Sequence, residues 1–313
     1  MTAWRILLTD GLEENGQVIL RESADVVDHP GITADELLQV IGGYDALIVR
    51  GRTRVTPAVF AAAPRLKVVG RAGVGVDNID LAAAREHKVT VVNSPLATTL
   101  AVAELTMGLM LGMLREIPRA DTSMKNGKWL KKEFEGNELY GKTLGVIGFG
   151  RIGSAVAQRA AAFGMNVIGY DPLVGAEDIR QRGGEPVNLL DLYIRADVIT
   201  LHLPLTNDTR GILNGAAFAK MKTGVRIVCA ARGGIIDEEA LLEALNSGKV
   251  ASAALDVFAA EPPGQTALVS HPHMVCTPHV GAQTVEAQGR AAYDISTEIL
   301  AALKGEALRW KVA

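Results

Sequence analysis

Three ionisable side chains, Arg232, Glu261 and His279, follow short apolar runs late in the chain, in Ala230-Ala231-Arg232-Gly233-Gly234, Glu261-Pro262-Pro263 and Thr277-Pro278-His279. An imidazole that titrates near neutrality can take and return a proton. A carboxylate can hold the second ring nitrogen and support the imidazolium, and a guanidinium can clasp a carboxylate through its planar fork. Together the three suit the oxidation of a 2-hydroxy acid, in which a hydroxyl proton leaves to a base while a hydride leaves the same carbon to a nicotinamide. Singly, each has a plainer reading. With His271 and His273 so near, His279 could be an ordinary loop residue. HPHMVCTPH over 271–279 has a superficial metal spacing, but a buried zinc site wants more Cys or His partners than this chain offers, so no metal is expected.

A nicotinamide needs a seat, and Thr143 to Asp171, TLGVIGFGRIGSAVAQRAAAFGMNVIGYD, has its layout. Leu144 to Ile147 read as a buried parallel strand, with Gly148, Gly150 and Gly153 directly after it. Gly148 suits a tight turn, Gly150 a close approach of backbone to a pyrophosphate, and Gly153 close packing of a helix expected from near Ser154. The helix's free N–H groups and positive dipole end would face the diphosphate. The second strand, Asn166 to Tyr170, ends in Asp171, roughly twenty residues on, where an acid can accept both ribose hydroxyls of an adenosine. A 2′-phosphate there would meet like charge, costing on the order of 4 kcal/mol at about 4 Å in a surface-like dielectric. Pro172, Leu173 and Val174 follow and the next basic residue is Arg180, so the cofactor reads as NAD. The alternative is a βαβ unit whose glycines only shape a turn.

The rest of the chain must position these groups. Its 313 residues suffice for two domains, and 48% hydrophobic content with a net charge of −3 describes a soluble globular protein. No basic stripe suggests nucleic acid. MTAWRILLTDG lacks the layout of a signal peptide, and the two cysteines, Cys229 and Cys276, sit in apolar runs, so reduced thiols and a cytosolic location are expected. The apolar stretch Leu100 to Leu114 includes Glu104 and is too short to span a bilayer. A helix apolar on every side must be buried, between domains or between subunits.

Ile6–Leu8, Asp25–Val27, Ala46–Val49, Lys67–Val69 and Val89–Val92 read as strands. They alternate with helical patterns over Glu14–Arg21, Thr33–Ile41, Thr56–Ala63 and Asp80–His87, Thr33 and Asp80 serving as N-caps. This predicts an α/β domain with a doubly wound parallel sheet. Arg71 to Asp77, RAGVGVD, is either a backbone nest for an anion such as a carboxylate or a plain turn. Arg50, Arg52 and Arg54 lie at alternate positions closing a strand, which in extended chain puts them on one side, where they either hold a phosphate or sulfonate or are simply solvated. A long helix from Thr98 to Glu116 and a basic arm, KNGKWLKK over 125–132, lead into the nucleotide-binding half. There the strands Val198–Leu201, Arg226–Cys229, Ala253–Leu255 and Met274–Cys276 bring their carboxyl ends, where an open α/β sheet binds its ligand, to one crevice.

Five ordered motifs, VGRAGVGVDNID (69–80), GKTLGVIGFGRIG (141–153), CAARGGIIDEEAL (229–241), ALDVFAAEPP (254–263) and TPHVGAQTVEAQ (277–288), make the chain similar to the D-isomer-specific 2-hydroxyacid dehydrogenases. The similarity runs from the first strand to Leu303 and is greatest to the branch that oxidises 3-phosphoglycerate to 3-phosphohydroxypyruvate in serine biosynthesis. It implies two doubly wound domains, a Rossmann NAD domain (98–285) inserted into a flavodoxin-like substrate domain (1–97 and 286–313). Arg232, Glu261 and His279 match the family's catalytic residues. Val74, Arg151, Ile152, Asp171, Leu203, Thr209, Ala230, Asp256 and Gly281 match positions that contact NAD there. The substrate carboxylate would meet backbone at Val74 and Gly75, its phosphate Arg50 and Arg52, and Lys131 would reach across a homodimer built on the helix from Thr98. The domains would close over substrate. Gly51 and Cys229 stand where Ser and Asn are usual, which bears on which acid is used, with hydroxypyruvate, glyoxylate and sulfolactate as alternatives. A non-catalytic NAD-sensing protein is the alternative from another class. Longer members carry a C-terminal regulatory domain, and serine feedback through such a domain is not expected here.

Overall fold

The structure is a computed structural model that describes residues 4–313; residues 1–3, which open the stretch read as lacking a signal layout, lie outside the described residues. The chain divides into two compact units, one formed by the stretch up to Thr98 with Ala282–Ala313, the other by Thr99–Gly281.

The first unit runs β1 (Trp4–Leu8), α1 (Glu14–Arg21), β2 (Ala24–Asp28), α2 (Ala34–Val40), β3 (Ala46–Val49), α3 (Pro57–Ala61), β4 (Val68–Arg71), α4 (Leu81–Glu86) and β5 (Thr90–Asn93). The five strands pair with one another in parallel, in the order β2-β1-β3-β4-β5, the flavodoxin-like winding. Every residue of β3 is buried, as expected of a central parallel strand covered on both faces. Thr33 and Asp80 cap α2 and α4 by accepting from the backbone of Glu36 and Ala83, and Glu36 completes a capping box. A closing helix, Val285–Lys304, packs on α1, β4 and β5, so the chain's last segment finishes this unit's core.

One expectation fails here. Strand β3 ends at Val49, and Arg50 to Arg54 lie in a bend outside it, so the rule that alternate residues share a side does not apply to the three arginines.

The second unit begins with α5 (Thr99–Leu114) and α6 (Ile117–Lys125). It continues through β6 (Thr143–Ile147), α7 (Arg151–Ala162), β7 (Asn166–Tyr170), α8 (Ala176–Gln181), β8 (Glu185–Pro186), α9 (Leu189–Arg195) and β9 (Val198–Leu201). It ends with α10 (Gly215–Lys220), β10 (Val225–Cys229), α11 (Glu238–Asn246), β11 (Val250–Leu255) and β12 (Met274–Cys276). The parallel sheet has the order β12-β11-β10-β9-β6-β7-β8, so its winding reverses between β6 and β9, the switch point at which a Rossmann sheet takes its ligand. The all-round apolar α5 is buried inside its own unit, against α7 and strands β10, β11 and β12. Cys229 and Cys276 are free and end β10 and β12. No helix among the described residues is long and apolar enough to cross a membrane.

Candidate active site

The turn after β6 uses its three glycines differently. Gly148 has φ +94°, and a Cβ there would lie 2.6 Å from the His202 carbonyl oxygen, so neither conformation nor space admits a side chain. A Cβ at Gly153 would lie 2.0 Å from the Gly148 carbonyl oxygen. A Cβ at Gly150 would meet nothing within 4 Å, so this face of the turn is open while its neighbours are packed. Helix α7 starts at Arg151 with Gly150 as N-cap, three residues before the Ser154 start expected from the sequence, which places Arg151, Ile152 and Gly153 in its first turn. Ser154 instead turns its hydroxyl back onto the carbonyls of Gly150 and Phe149, at 2.7 and 3.1 Å. An open glycine at a helix N-terminus fits a dinucleotide diphosphate.

Asp171 follows β7. Its Oδ2 accepts from the Phe149 N–H at 2.7 Å and its Oδ1 from Leu173 and Val174 N–H at 2.8 and 3.2 Å, so the acid meant for a ribose also fixes the glycine turn. In sequence, the first basic residue after this carboxylate is Arg180. The structure brings another to the same turn: Arg182 Nη1 donates to the Phe149 carbonyl at 2.8 Å.

Beyond β9, Leu203 is buried beside Gly148, and the Thr209 hydroxyl donates to the Pro204 carbonyl at 2.6 Å, closing the loop between them. His202 pairs through Nε2 with Thr200 Oγ1 at 3.0 Å, while its shielded Nδ1 has no hydrogen-bond partner among the described residues. Burial pulls its pKa down to about 4, so the ring is neutral at pH 7.

The three candidate chemical groups come from loops after β10, β11 and β12. Arg232 follows Ala230, which is buried at the end of β10, and donates through Nη1 to the Ala231 carbonyl at 2.7 Å. A Cβ on the next residue, Gly233, would lie 1.8 Å from the Phe258 carbonyl oxygen, so this loop rests directly on the loop that carries Glu261. Cys229 lies beneath it, and burial pushes its thiol up to about 11.

Asp256, 1% exposed, accepts from Thr277 Oγ1 at 2.6 Å and from the Val280 and Gly281 amides, each at 2.8 Å. The His279 amide bonds to the Asp256 carbonyl at 2.9 Å, and His279 takes φ +52°, uncommon for a side-chain-bearing residue. This buried carboxylate holds the His279 loop from both sides, a role that its match to an NAD-contacting position did not suggest. The result is a close pair: His279 Nδ1 lies 2.8 Å from Glu261 Oε2, while Glu261 Oε1 accepts from the Phe258 N–H at 3.1 Å. The carboxylate requires a proton on Nδ1, which leaves Nε2 as the basic nitrogen of the neutral ring.

In the other unit, the Val74 and Gly75 amides have no internal acceptor among the described residues, while Asn93 holds the Val74 carbonyl at 2.7 Å. Arg52 donates to the carbonyls of Ile32 at 2.9 Å and Thr9 at 2.6 Å and pairs with Asp10 at 3.1 Å. Arg50 pairs with Glu13 and donates to Gln288. Lys131 is exposed in a short 3₁₀ turn, Lys131–Glu133. Among the described residues no three His, Cys, Asp or Glu side chains form a group that could hold a metal ion.

The family model described as "D-isomer specific 2-hydroxyacid dehydrogenase, NAD binding domain" matches residues 107–281. The D-3-phosphoglycerate dehydrogenase of Methanocaldococcus jannaschii is 52% identical over 303 residues, covering 96% of this chain and 58% of that protein, so the chain spans little more than half the length of this relative. The structure of the TT0316 protein from Thermus thermophilus superimposes with a TM-score of 0.92 at 36% identity, covering 99% of this chain and 100% of that one. A glyoxylate reductase from Paecilomyes thermophila gives 0.91 at 33% identity, covering 100% and 99%. With an open glycine turn, an acid after β7 and a model match over more than half its length, the chain belongs to the D-isomer specific 2-hydroxyacid dehydrogenase family, and residues 107–281 form its NAD-binding domain.

Proposed function

We propose that this protein oxidises D-3-phosphoglycerate to 3-phosphohydroxypyruvate with NAD. The observation that carries the chemistry is the 2.8 Å contact between His279 Nδ1 and Glu261 Oε2. With Nδ1 protonated toward Glu261, Nε2 of His279 accepts the C2 hydroxyl proton, and Glu261 supports the imidazolium that forms. Arg232 binds the substrate carboxylate and polarises the developing 2-oxo group. When bound, NAD supplies the acceptor for the hydride that leaves C2, so one two-electron oxidation yields the 2-oxo acid, NADH and a proton. Gly148, Gly150 and Gly153 with the start of α7 hold the diphosphate, and Asp171 the adenosine ribose. Leu203, Thr209, Ala230, Asp256 and Gly281 line the rest of the cofactor's path. The uncommitted amides of Val74 and Gly75 take the substrate carboxylate, and Arg50 and Arg52 its phosphate.

The name of the M. jannaschii relative supports phosphoglycerate as the acid. A specific observation favours a second reading, an unphosphorylated 2-hydroxy acid such as the product of a glyoxylate reductase: the Arg52 guanidinium is already engaged by Thr9, Ile32 and Asp10. NADH formation across a panel of phosphorylated, sulfonated and plain 2-hydroxy acids decides. A specificity constant highest for 3-phosphoglycerate supports the first reading, and equal use of glycolate or glycerate ends it. Loss of turnover in His279→Ala with NADH binding retained separates an enzyme from a cofactor-sensing protein. A homodimer, with Lys131 serving the neighbouring subunit, is part of the proposal, and sedimentation at micromolar concentration tests it.

A further inference from the structure

Phe149, the residue between the first two glycines of the turn, is gripped from every side. Its ring is fully buried in a slot that two glycines keep clear: a Cβ at Gly169 would lie 2.4 Å, and at Gly184 2.5 Å, from ring carbons. Its N–H donates to Asp171 Oδ2 at 2.7 Å. Its carbonyl accepts from Arg182 Nη1 at 2.8 Å and from Ser154 Oγ at 3.1 Å. The acid that follows β7 and the guanidinium that follows α8 thus hold the two backbone polar groups of one residue, and the residue after it is the open Gly150.

We propose that Arg182 is a positioning residue for the cofactor. It acts through the Phe149 carbonyl, not by touching the dinucleotide. A backbone turn that must receive a dianion with its amides aligned gains most when its peptides are fixed before binding, since a loose turn would have to be ordered by the ligand. The Arg182 bond is charge-assisted and therefore stronger than the neutral Ser154 bond to the same oxygen. It also brings a positive charge to the edge of the diphosphate seat and ties α8 to the turn, so that the ribose acid and the diphosphate amides keep one relative geometry. The sequence contains no cue for this pairing, which forms across two helices and a strand.

The test measures NADH affinity by nicotinamide fluorescence, together with KM for NAD, KM for the hydroxy acid and kcat, in Arg182→Ala and Arg182→Lys. Arg182→Ala is expected to weaken NADH binding and raise KM for NAD roughly 10-fold, about the effect of one hydrogen bond to a charged group. The hydroxy-acid KM and kcat at saturating NAD should stay within about 2-fold, because the loss is uniform cofactor binding. Arg182→Lys, which keeps charge and one donor, should recover part of the affinity, and ADP-ribose should lose more affinity than adenosine, which lacks a diphosphate. NADH affinity unchanged in Arg182→Ala would overturn the proposal. So would a uniform loss in kcat and both KM values that Lys does not relieve, which marks a purely structural role. If Arg182→Ala does not fold, Arg182→Met, which keeps an aliphatic stem and removes every donor and the charge, decides in its place: unchanged NADH affinity refutes the positioning role. The wild-type titration, run alongside, tests NAD binding itself independently of Arg182.

Discussion

His279 Nδ1 and Glu261 Oε2 stand 2.8 Å apart although their residues follow different strands, and each is fixed separately: Glu261 by the Phe258 amide, His279 by the carbonyl of Asp256. Glu261→Gln keeps shape and removes charge, and an amide can present its NH₂ to Nδ1 and favour the opposite tautomer. Turnover is expected to fall by about 10²-fold or more while NADH affinity is unchanged. Steady-state kinetics with a parallel NADH titration checks this, and near-normal kcat would remove Glu261 from the mechanism.

The contrast between Gly150 and Gly153 separates binding from folding. Gly150→Ala places a methyl in open space, so thermal stability should hold while NADH binding weakens by at least about 10-fold. Gly153→Ala drives a methyl to 2.0 Å from the Gly148 carbonyl oxygen, so α7 must shift and the melting temperature should fall by several degrees. Both variants losing stability equally would mean that Gly150 is not at the ligand-facing side.

Arg52 holds the Thr9 and Ile32 carbonyls and pairs with Asp10, whose side chain is 5% exposed. Arg52→Ala should therefore destabilise the first unit by about 2 kcal/mol whatever its part in substrate binding. Urea denaturation measures this. A variant of full stability that has lost only phosphorylated substrates would instead assign Arg52 wholly to the ligand.

His202 gives acid sensitivity with a definite sign. Unfolded, it takes a proton near pH 6.5; folded, burial delays protonation to about 4. Between those values the unfolded chain binds more protons, so stability is undiminished above 6.5 and falls as the pH drops toward 4. The gap is worth at most about 3 kcal/mol. His202→Asn, which cannot titrate, should lose less stability than the wild type between about pH 7 and 5, and parallel losses would show that another group governs the acid limb.

Much of this architecture is legible in the residues because the informative segments are buried on both faces or explicitly capped. Ala46–Val49 is an unbroken apolar run that became a fully buried strand, Val198–Leu201 did the same with Thr200 its one polar residue, and Thr33 and Asp80 each mark a helix start that their side chains cap. Helix α7 began earlier than expected because its N-cap is glycine, which offers no side-chain signal. Helix α8 carries no legible period because only Ile179 of its six residues is buried. The arginines after β3 misled because the chain bends out of the strand at Arg50. Arg182 on Phe149, like the three donors gathered by Asp256, is a contact through space between segments far apart in the chain, and local pattern carries no information about it.

The absence of a side chain at Gly233 lets one loop lie on the Phe258 carbonyl with no room between them. The guanidinium loop and the carboxylate loop are therefore mechanically one part. An insertion or a bulkier residue in either would displace both groups at once, so descent with new substrate preferences must work through other surfaces of the protein and leave this seam alone. Engineering of the acid specificity meets the same restriction, and libraries that randomise residue 233 should return mostly inactive clones.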